Sequence, residues 1–420
     1  MLLESRCITI LSGDLTANQM GFSNTVWQQL SQSVQIVIHA AASINLRSSL
    51  HKLSASIIAP SLSLAQNAIE FANLQSFVFV STAYANSHLW KTTLLSDVPV
   101  DECIYPLQPD SKPFYIDHSV TWEKIGLQTA NEWESVRTTG TSREFEDHDF
   151  PWAYAYAKHL TERLITDVFM RNGARKKLLI VRPSVLCPAM SHPHPGFSVP
   201  SSTPSTALAT GIVLQIGRHI KLASRSSDPD KDVTIDEVPV DVVADRMLSH
   251  LSRGTFGCVH AVGGKTGRSR FCEWWPALMR ERRLPWDVKP VWSTLDWHSP
   301  KIHPLGQLYV ILGTSFDFQE GRTTQLLSNL SQHEKLHLKL FMDDFKPYEF
   351  VHRRYQIRQM ALCIAKKKNW PPCLIKLLCR PGTVDGSNSL SQRSNIEFEY
   401  SNKFGAFPTD SKANGFVDES

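Results

Sequence analysis

Tyr154-Ala-Tyr-Ala-Lys158 opens an apolar-periodic segment. On a helix, residues four apart share a face, so the Tyr154 phenol and the Lys158 ammonium project the same way. A cation beside a phenol favours the phenolate and lowers its pKa. This spacing therefore predicts a proton donor usable near neutral pH. Tyr156, two residues on, points elsewhere. Ser81 and Thr82 follow the apolar run Phe77–Val80. In an open parallel sheet, ligands sit beyond the carboxyl ends of the strands, so a Thr82 hydroxyl there can bind a carbonyl oxygen beside Tyr154. Taken singly, Y-x-x-x-K is a common helix face and Ser-Thr a common strand-end turn. Acid, cation and hydroxyl together, on these elements and in this order, point to carbonyl chemistry.

The elements that must hold these groups are legible as buried runs. Cys7–Ser12 reads as a strand ended by Gly13-Asp14; Val34–His39 ends in Ala40-Ala41-Ala42; Phe77–Ser81 ends in Thr82; Leu178–Arg182 is stopped by Pro183. Near-continuous apolar runs are those of parallel strands covered on both faces. Helical spacing is predicted near 61–74, through Leu62, Ala65, Ala68, Ile69 and Ala72, and near 152–171, through Ala155, Leu160, Leu164 and Val168. Alternating strands and helices predict an α/β fold, a doubly wound and mostly parallel sheet. In that frame the Asp14 carboxylate sits at a strand end, where it can receive adenine or ribose donors. Small residues at 40–42 let a flat cofactor approach the backbone, and His39 fits a cofactor contact or a satisfied structural residue equally well. The stretch 86–149 reads as a long polar loop, of a length that is functional or carries small elements of its own. Gly264-Lys265-Thr266 lacks the earlier glycine of a phosphate loop and reads as a turn.

Formal charge is +4, from 44 Lys plus Arg against 40 Asp plus Glu, too balanced for a nucleic-acid binder. Hydrophobic residues make up 42%, enough for a substantial core. No apolar run is long enough to span a bilayer, and MLLESRC does not read as a signal peptide. The eight cysteines are scattered with no C-x-x-C pair, which argues against a zinc site or a disulfide framework and for a reducing, intracellular setting. No metal site is expected.

Several short motifs resemble one family. Ser12-Gly-Asp-Leu15, His39-Ala-Ala-Ala42, the V-S-T-A-Y segment ending at Tyr84, Tyr154 with Lys158, Val181-Arg-Pro-Ser184, Pro195-Gly-Phe197 and Val238–Val243 run in order along the chain. Together they resemble fatty acyl-CoA reductases, extended short-chain dehydrogenases with a male-sterility type of NAD(P)-binding domain. Phe345–Phe350 resembles a segment of that family's C-terminal domain. The resemblance implies an NAD(P)-binding domain over 1–268. From about 270 the pattern changes to aromatic- and base-rich helical segments, which predicts a helical domain over 269–380. The Ser-, Asn- and Gly-rich stretch 381–420, with little apolar periodicity, reads as a disordered tail. The resemblance implies NADPH as cofactor and long-chain acyl-CoA as substrate, reduced through an aldehyde to an alcohol. It implies Tyr154, Lys158 and Thr82 as catalytic residues. Cofactor contacts would come from Asp14, Leu15, His39, Ala40, Ala41, Ser81, Tyr154, Lys158 and Pro183. Cys187-Pro188 stands where the family has a glycine-containing turn, at the expected pocket edge.

The family's glycine-rich turn, whose helix N-terminus holds a pyrophosphate, has no counterpart, since no G-x-G-x-x-G occurs in the sequence. A strand–helix–strand unit needs about 30 residues, so the sheet is expected to lack its first two strands and the dinucleotide to bind poorly. Two alternatives follow: an extended short-chain dehydrogenase acting on a sugar or small carbonyl, or a non-catalytic remnant that binds acyl-CoA or a partner. Residues 361–380 mix apolar clusters with lysines. Pro371 and Pro372 exclude one spanning helix, but the segment suits peripheral contact with a lipid surface, with Trp370 at headgroup level. The expected location is cytoplasmic or on an organelle membrane, endoplasmic reticulum or peroxisome.

Overall fold

The computed structural model describes residues 8–92, 97–108, 111–116, 122–199, 203–343, 345–349 and 352–379. Cys7, Phe350 and the tail 381–420 lie outside the described residues. Four strands, β1 (Ile36–His39), β2 (Ser76–Val80), β3 (Leu178–Pro183) and β4 (Gly257–Ala261), form one sheet in sequence order. All its pairings are parallel: Val37 lies opposite Phe77, Val78 opposite Leu179 and Val181 opposite Val259.

Both faces of β2, β3 and β4 are covered, as the continuous apolar runs require. On one face Phe77, Phe79, Leu178 and Ile180 pack with α2 (Ala59–Ile69) and α4 (Ala153–Arg171) through Leu64, Ala65, Ile165 and Phe169. On the other, Val78, Leu179, Val181 and Val259 meet Val242 and Val243 of α6 (Val240–Ser252). Helices α1 (Asn24–Ser33), α3 (Trp122–Thr139) and α5 (Pro204–Val213) precede α6, and α7 (Arg353–Lys367) and α8 (Pro372–Leu378) follow it. The doubly wound α/β class is as expected.

Three expectations on elements are corrected. Residues 8–12 form no strand: Ile8, Ile10 and Leu11 are exposed, and no backbone hydrogen bond joins 8–13 to β1. An apolar run becomes a strand only beside a partner with free backbone groups, and residues 8–12 have none among the described residues. The helix expected at 61–74 starts earlier, with Leu50–Leu53 and a wide turn at Ser54–Ile58 running into α2, and stops at Ile69. The expected loop 86–149 contains α3, whose inward stripe is Trp122, Gly126, Thr129, Glu132 and Val136. Three of those five lack an apolar side chain, so hydrophobic periodicity could not reveal the helix.

Strand pairings and one apolar cluster cross residue 268. Strand His219–Ala223 pairs with Lys289–Ser293, Val98–Val100 with Phe316–Phe318, and Thr234–Ile235 with Ser269–Arg270. One apolar cluster joins Leu208, Ile220 and Ile235 to Phe271, Trp274, Ile357 and Ile375. The later region consists of helices joined by loops, with these short strands.

Candidate active site

Helix α4 is fixed by two ion pairs that have almost no solvent contact. Arg163 grips Glu132 of α3 with both terminal nitrogens at 2.6 Å, and the Tyr156 hydroxyl donates to the same carboxylate at 2.6 Å. Glu162, one residue earlier, takes Arg182 of β3 at 2.9 and 2.6 Å. Adjacent residues on the helix thus reach a neighbouring helix and the sheet. Their bidentate geometry fixes rotation as well as distance. The opposite side of the first turn, with Tyr154, is turned towards the carboxyl ends of the strands.

There the structure forms a cleft with a cavity of about 340 Å³. Ala40 after β1, Ser81 and Thr82 after β2, and Pro183 at the end of β3 meet Tyr154 and Lys158 of α4 in its lining. Three separate strand ends and one helix therefore converge, as the sheet topology dictates. Lys158 is buried; its Nζ donates to the Val80 carbonyl at 2.9 Å and lies 4.7 Å from the Phe79 ring centre. An ammonium has three protons, so two remain for a ligand. Burial depresses its pKa to about 8, against the pull of Glu162.

Tyr154 departs from expectation. Burial pushes its phenol up to about 12, and no lowering by Lys158 offsets this. The ammonium is drawn under the end of β2 by Val80, and the apolar cleft disfavours the phenolate. The phenol therefore holds its proton at neutral pH, which suits a donor more than a nucleophile. Its hydroxyl has no hydrogen-bond partner among the described residues. Thr82 caps the short helix Ala83–Asn86: its Oγ1 accepts from Tyr84 N at 3.3 Å and donates a long 3.4 Å bond to the Pro183 carbonyl. The weakness of that second bond leaves its proton available to a substrate oxygen.

The remaining expected contacts do not line this cleft. His39 is a satisfied core residue: its Nε2 meets Ser61 Oγ at 2.8 Å, and burial, then Lys158, lowers its pKa to about 4. Ala41 is exposed and outside the lining. The Asp14 carboxylate is used locally, accepting from Thr16 N and Thr16 Oγ1 at 2.8 and 2.7 Å. Leu15 packs on the core under α2. Cys187 is buried at a separate small cavity with Pro188 and Arg353. The turn expected at Gly264 is instead a four-residue helix, Gly264–Gly267, and Asp236 takes Gly263 N and Gly264 N, so neither faces a phosphate.

Sequence reasoning missed most of the cleft wall. Trp152, Val185, Leu208, Leu308, Tyr309 and Ile311 line it. Trp152 is locked by its Nε1 donating to Leu308 O at 2.9 Å, across 156 residues of chain. These residues carry no motif; only the fold brings them together. The exposed residue Arg47 stands at the rim.

A family model described as male sterility protein, an NAD-binding domain, matches residues 3–247. The chain belongs to the male sterility protein family. Among curated relatives, fatty acyl-CoA reductase 1 of Gallus gallus is 28% identical over 247 residues, covering 58% of this chain and 41% of that protein. Fatty acyl-CoA reductase 1 of Homo sapiens is 27% identical over 242 residues, with the same shares. The chain thus spans about two fifths of the length of these relatives. Among solved structures, the terminal R domain of the myxalamid PKS-NRPS pathway superposes with a TM-score of 0.51 at 14% identity, covering 87% of this chain and 77% of that one. It supports a Rossmann-like fold for this male sterility family member.

The cleft fits one half of a nicotinamide dinucleotide. Tyr154, the two remaining Lys158 protons and the small Ala40 suit a ribose and a flat ring. The other half has no visible cradle: among the described residues no glycine turn at a helix N-terminus lines the cleft, and Arg47 is the cation at its rim.

Proposed function

We propose that this chain carries the reductase site of a fatty acyl-CoA reductase, using NADPH to reduce a long-chain acyl thioester to the aldehyde and then the alcohol. The observation that carries this reading is the meeting of Thr82, Tyr154 and Lys158 at one end of a predominantly apolar cleft. The dinucleotide, when bound, supplies hydride. Thr82 Oγ1 donates to the carbonyl oxygen and stabilises the charge that develops on it. Tyr154 then delivers its proton to that oxygen. The thiohemiacetal so formed breaks its C–S bond to release coenzyme A as the thiol and leave the aldehyde, and a second hydride and proton give the alcohol. Lys158, with two ammonium protons left beyond its bond to the Val80 carbonyl, holds the ribose of the dinucleotide. Val185, Leu208, Leu308 and Ile311 offer an apolar wall along which an alkyl chain excludes water. That wall favours a fatty chain over a sugar, whose hydroxyls would find few partners there.

The test is oxidation of NADPH by the purified 420-residue chain with saturated acyl-CoA thioesters of increasing length. The reading expects turnover that rises with chain length and aldehyde or alcohol as product. Turnover of a small sugar or ketone substrate in preference to every acyl-CoA would replace it with the small-carbonyl reading.

A further inference from the structure

The end of α5 opposite the cleft carries a second surface with a different composition. Ile216 and Leu377 there are 65% and 60% exposed, large values for aliphatic side chains. They belong to distant parts of the sequence, but one turn joins them. Trp286 donates from Nε1 to Ile216 O at 3.3 Å, while Arg283 donates to Lys376 O at 2.7 Å. Beneath, the buried Arg282 binds the carbonyls of Ile212, Val213 and Gln215. The loop 214–218 and α8 are therefore held against one scaffold, and the exposed residues keep a fixed relation to each other.

The cations follow the same pattern. The Arg218 guanidinium lies 5.3 Å from the Trp286 ring centre, and Lys289 N donates to Arg218 O. On α8, Cys373, Lys376 and Leu377 face solvent while Ile375 and Leu378 are buried, so this short helix is two-faced at helical spacing. The last turn of α7 adds exposed Lys366, Lys367 and Lys368, next to Trp370 at 36% exposure. Asp287 borders the patch as an acid. Among the described residues no helix is long and apolar enough to cross a membrane.

We propose that this face docks on the surface of an anionic lipid bilayer. Exposed aliphatic tips and a Trp flanked by basic side chains are the chemistry of an interfacial contact: the apolar groups enter the headgroup boundary and the cations meet lipid phosphates. The excess of positive charge around Ile216 and Leu377 selects this partner over an uncharged apolar protein surface. The patch stands on its own residues and holds whichever carbonyl compound the cleft reduces.

Flotation of the full chain with vesicles tests it. Wild type is expected to float with phosphatidylcholine vesicles containing phosphatidylserine, to stay behind with phosphatidylcholine alone, and to be released by salt. Ile216→Asp/Leu377→Asp should lower recovery at least tenfold. Arg218→Gln/Lys376→Gln should weaken partition about 25-fold, fivefold for each charge removed. All four side chains are exposed, so thermal unfolding should match wild type and separate loss of binding from loss of fold. Equal flotation of wild type and both variants, no flotation of wild type, or equal capture by neutral vesicles would overturn the proposal. So would a concentration-dependent dimer that forms without lipid and is abolished by the aspartate pair.

Discussion

Two halves of the same sheet are built to different standards. Around β2, β3 and α4, almost every residue is buried, and the charged ones are paired to carboxylates or carbonyls. From Ile8 to Ser49, His39 is the one buried residue among those described. The outer edge of β1 carries no strand among the described residues, and its Ile36 and Ile38 are 45% and 41% exposed. The acid, the cation and the hydroxyl all lie on the first half. The second contributes Ala40, Ala42, Ile44, Asn45, Leu46 and Arg47 to the cleft lining. A short-range chemical constellation can thus be held to fine tolerance while its neighbouring ligand region is held by little.

The largest effect should come from the chemistry itself. Tyr154→Phe removes one hydroxyl that has no hydrogen-bond partner among the described residues, so the fold should be unchanged. Acyl-CoA turnover should fall about 10²–10⁴-fold, the span of a lost general acid. Retained turnover would take tyrosine out of the mechanism. A pH profile sharpens this. Lys158 is protonated below about 8 and neutral above it, whereas an exposed lysine would keep its proton to about 10.4. Activity that needs the ammonium should therefore decline as pH rises through about 8, and Lys158→Arg should remove that alkaline limb if any activity survives. The same shift has a stability sign. The folded state binds this proton less tightly than the unfolded one, so burial of Lys158 costs stability below about 8, and the cost fades as pH rises towards 10.4.

The next effect measures what holds α4. Glu132→Ala leaves Arg163 buried without its carboxylate and Tyr156 without its acceptor. Removing one partner of a buried pair costs about 3–5 kcal/mol. Chemical denaturation should show that loss. Undiminished stability would mean that packing of Phe169, Ile165 and Leu160 alone orients the helix.

What the sequence shows, and what it does not, follows the same division. Strands β1 to β3 and helix α4 are readable because the strands are nearly continuous apolar runs and the helix keeps an unbroken apolar period. Tyr154, Lys158 and Thr82 are readable because they sit at fixed offsets on those elements. Helix α3 is not, because its inward face is largely Gly, Thr and Glu; what it contributes is an ion pair, which has no period. The cleft wall at Leu308, Tyr309 and Ile311 is not readable either, since nothing in a single sequence says that residues 150 positions beyond Trp152 come back to it. The error at 8–12 is instructive in the other direction. Its apolar pattern satisfies the local rule for a strand, but a strand is a property of two chains of hydrogen-bonding groups and not of one. His39 was undecidable by type; its bond to Ser61 makes it structural.

The smallest effect should appear on β1. Ile36 and Ile38 alternate with Val37 and His39, so their side chains lie on one side of the strand, and both are more than two fifths exposed. Replacing an exposed side chain away from caps, cavities and ion pairs usually changes stability by less than about 0.5 kcal/mol. Ile36→Thr/Ile38→Thr keeps the β-branched shape, so strand propensity is preserved and only apolar area is lost. The double variant should unfold within about 1 kcal/mol of wild type if these side chains face water in the isolated chain. A loss of several kcal/mol would instead mean that something covers the edge in solution, whether another copy of the chain or another part of it. Repeating the measurement across a hundredfold range of protein concentration separates those cases. A concentration-dependent midpoint in wild type that disappears in the variant would assign the edge to association between copies. A concentration-independent loss would assign it to contacts within one chain.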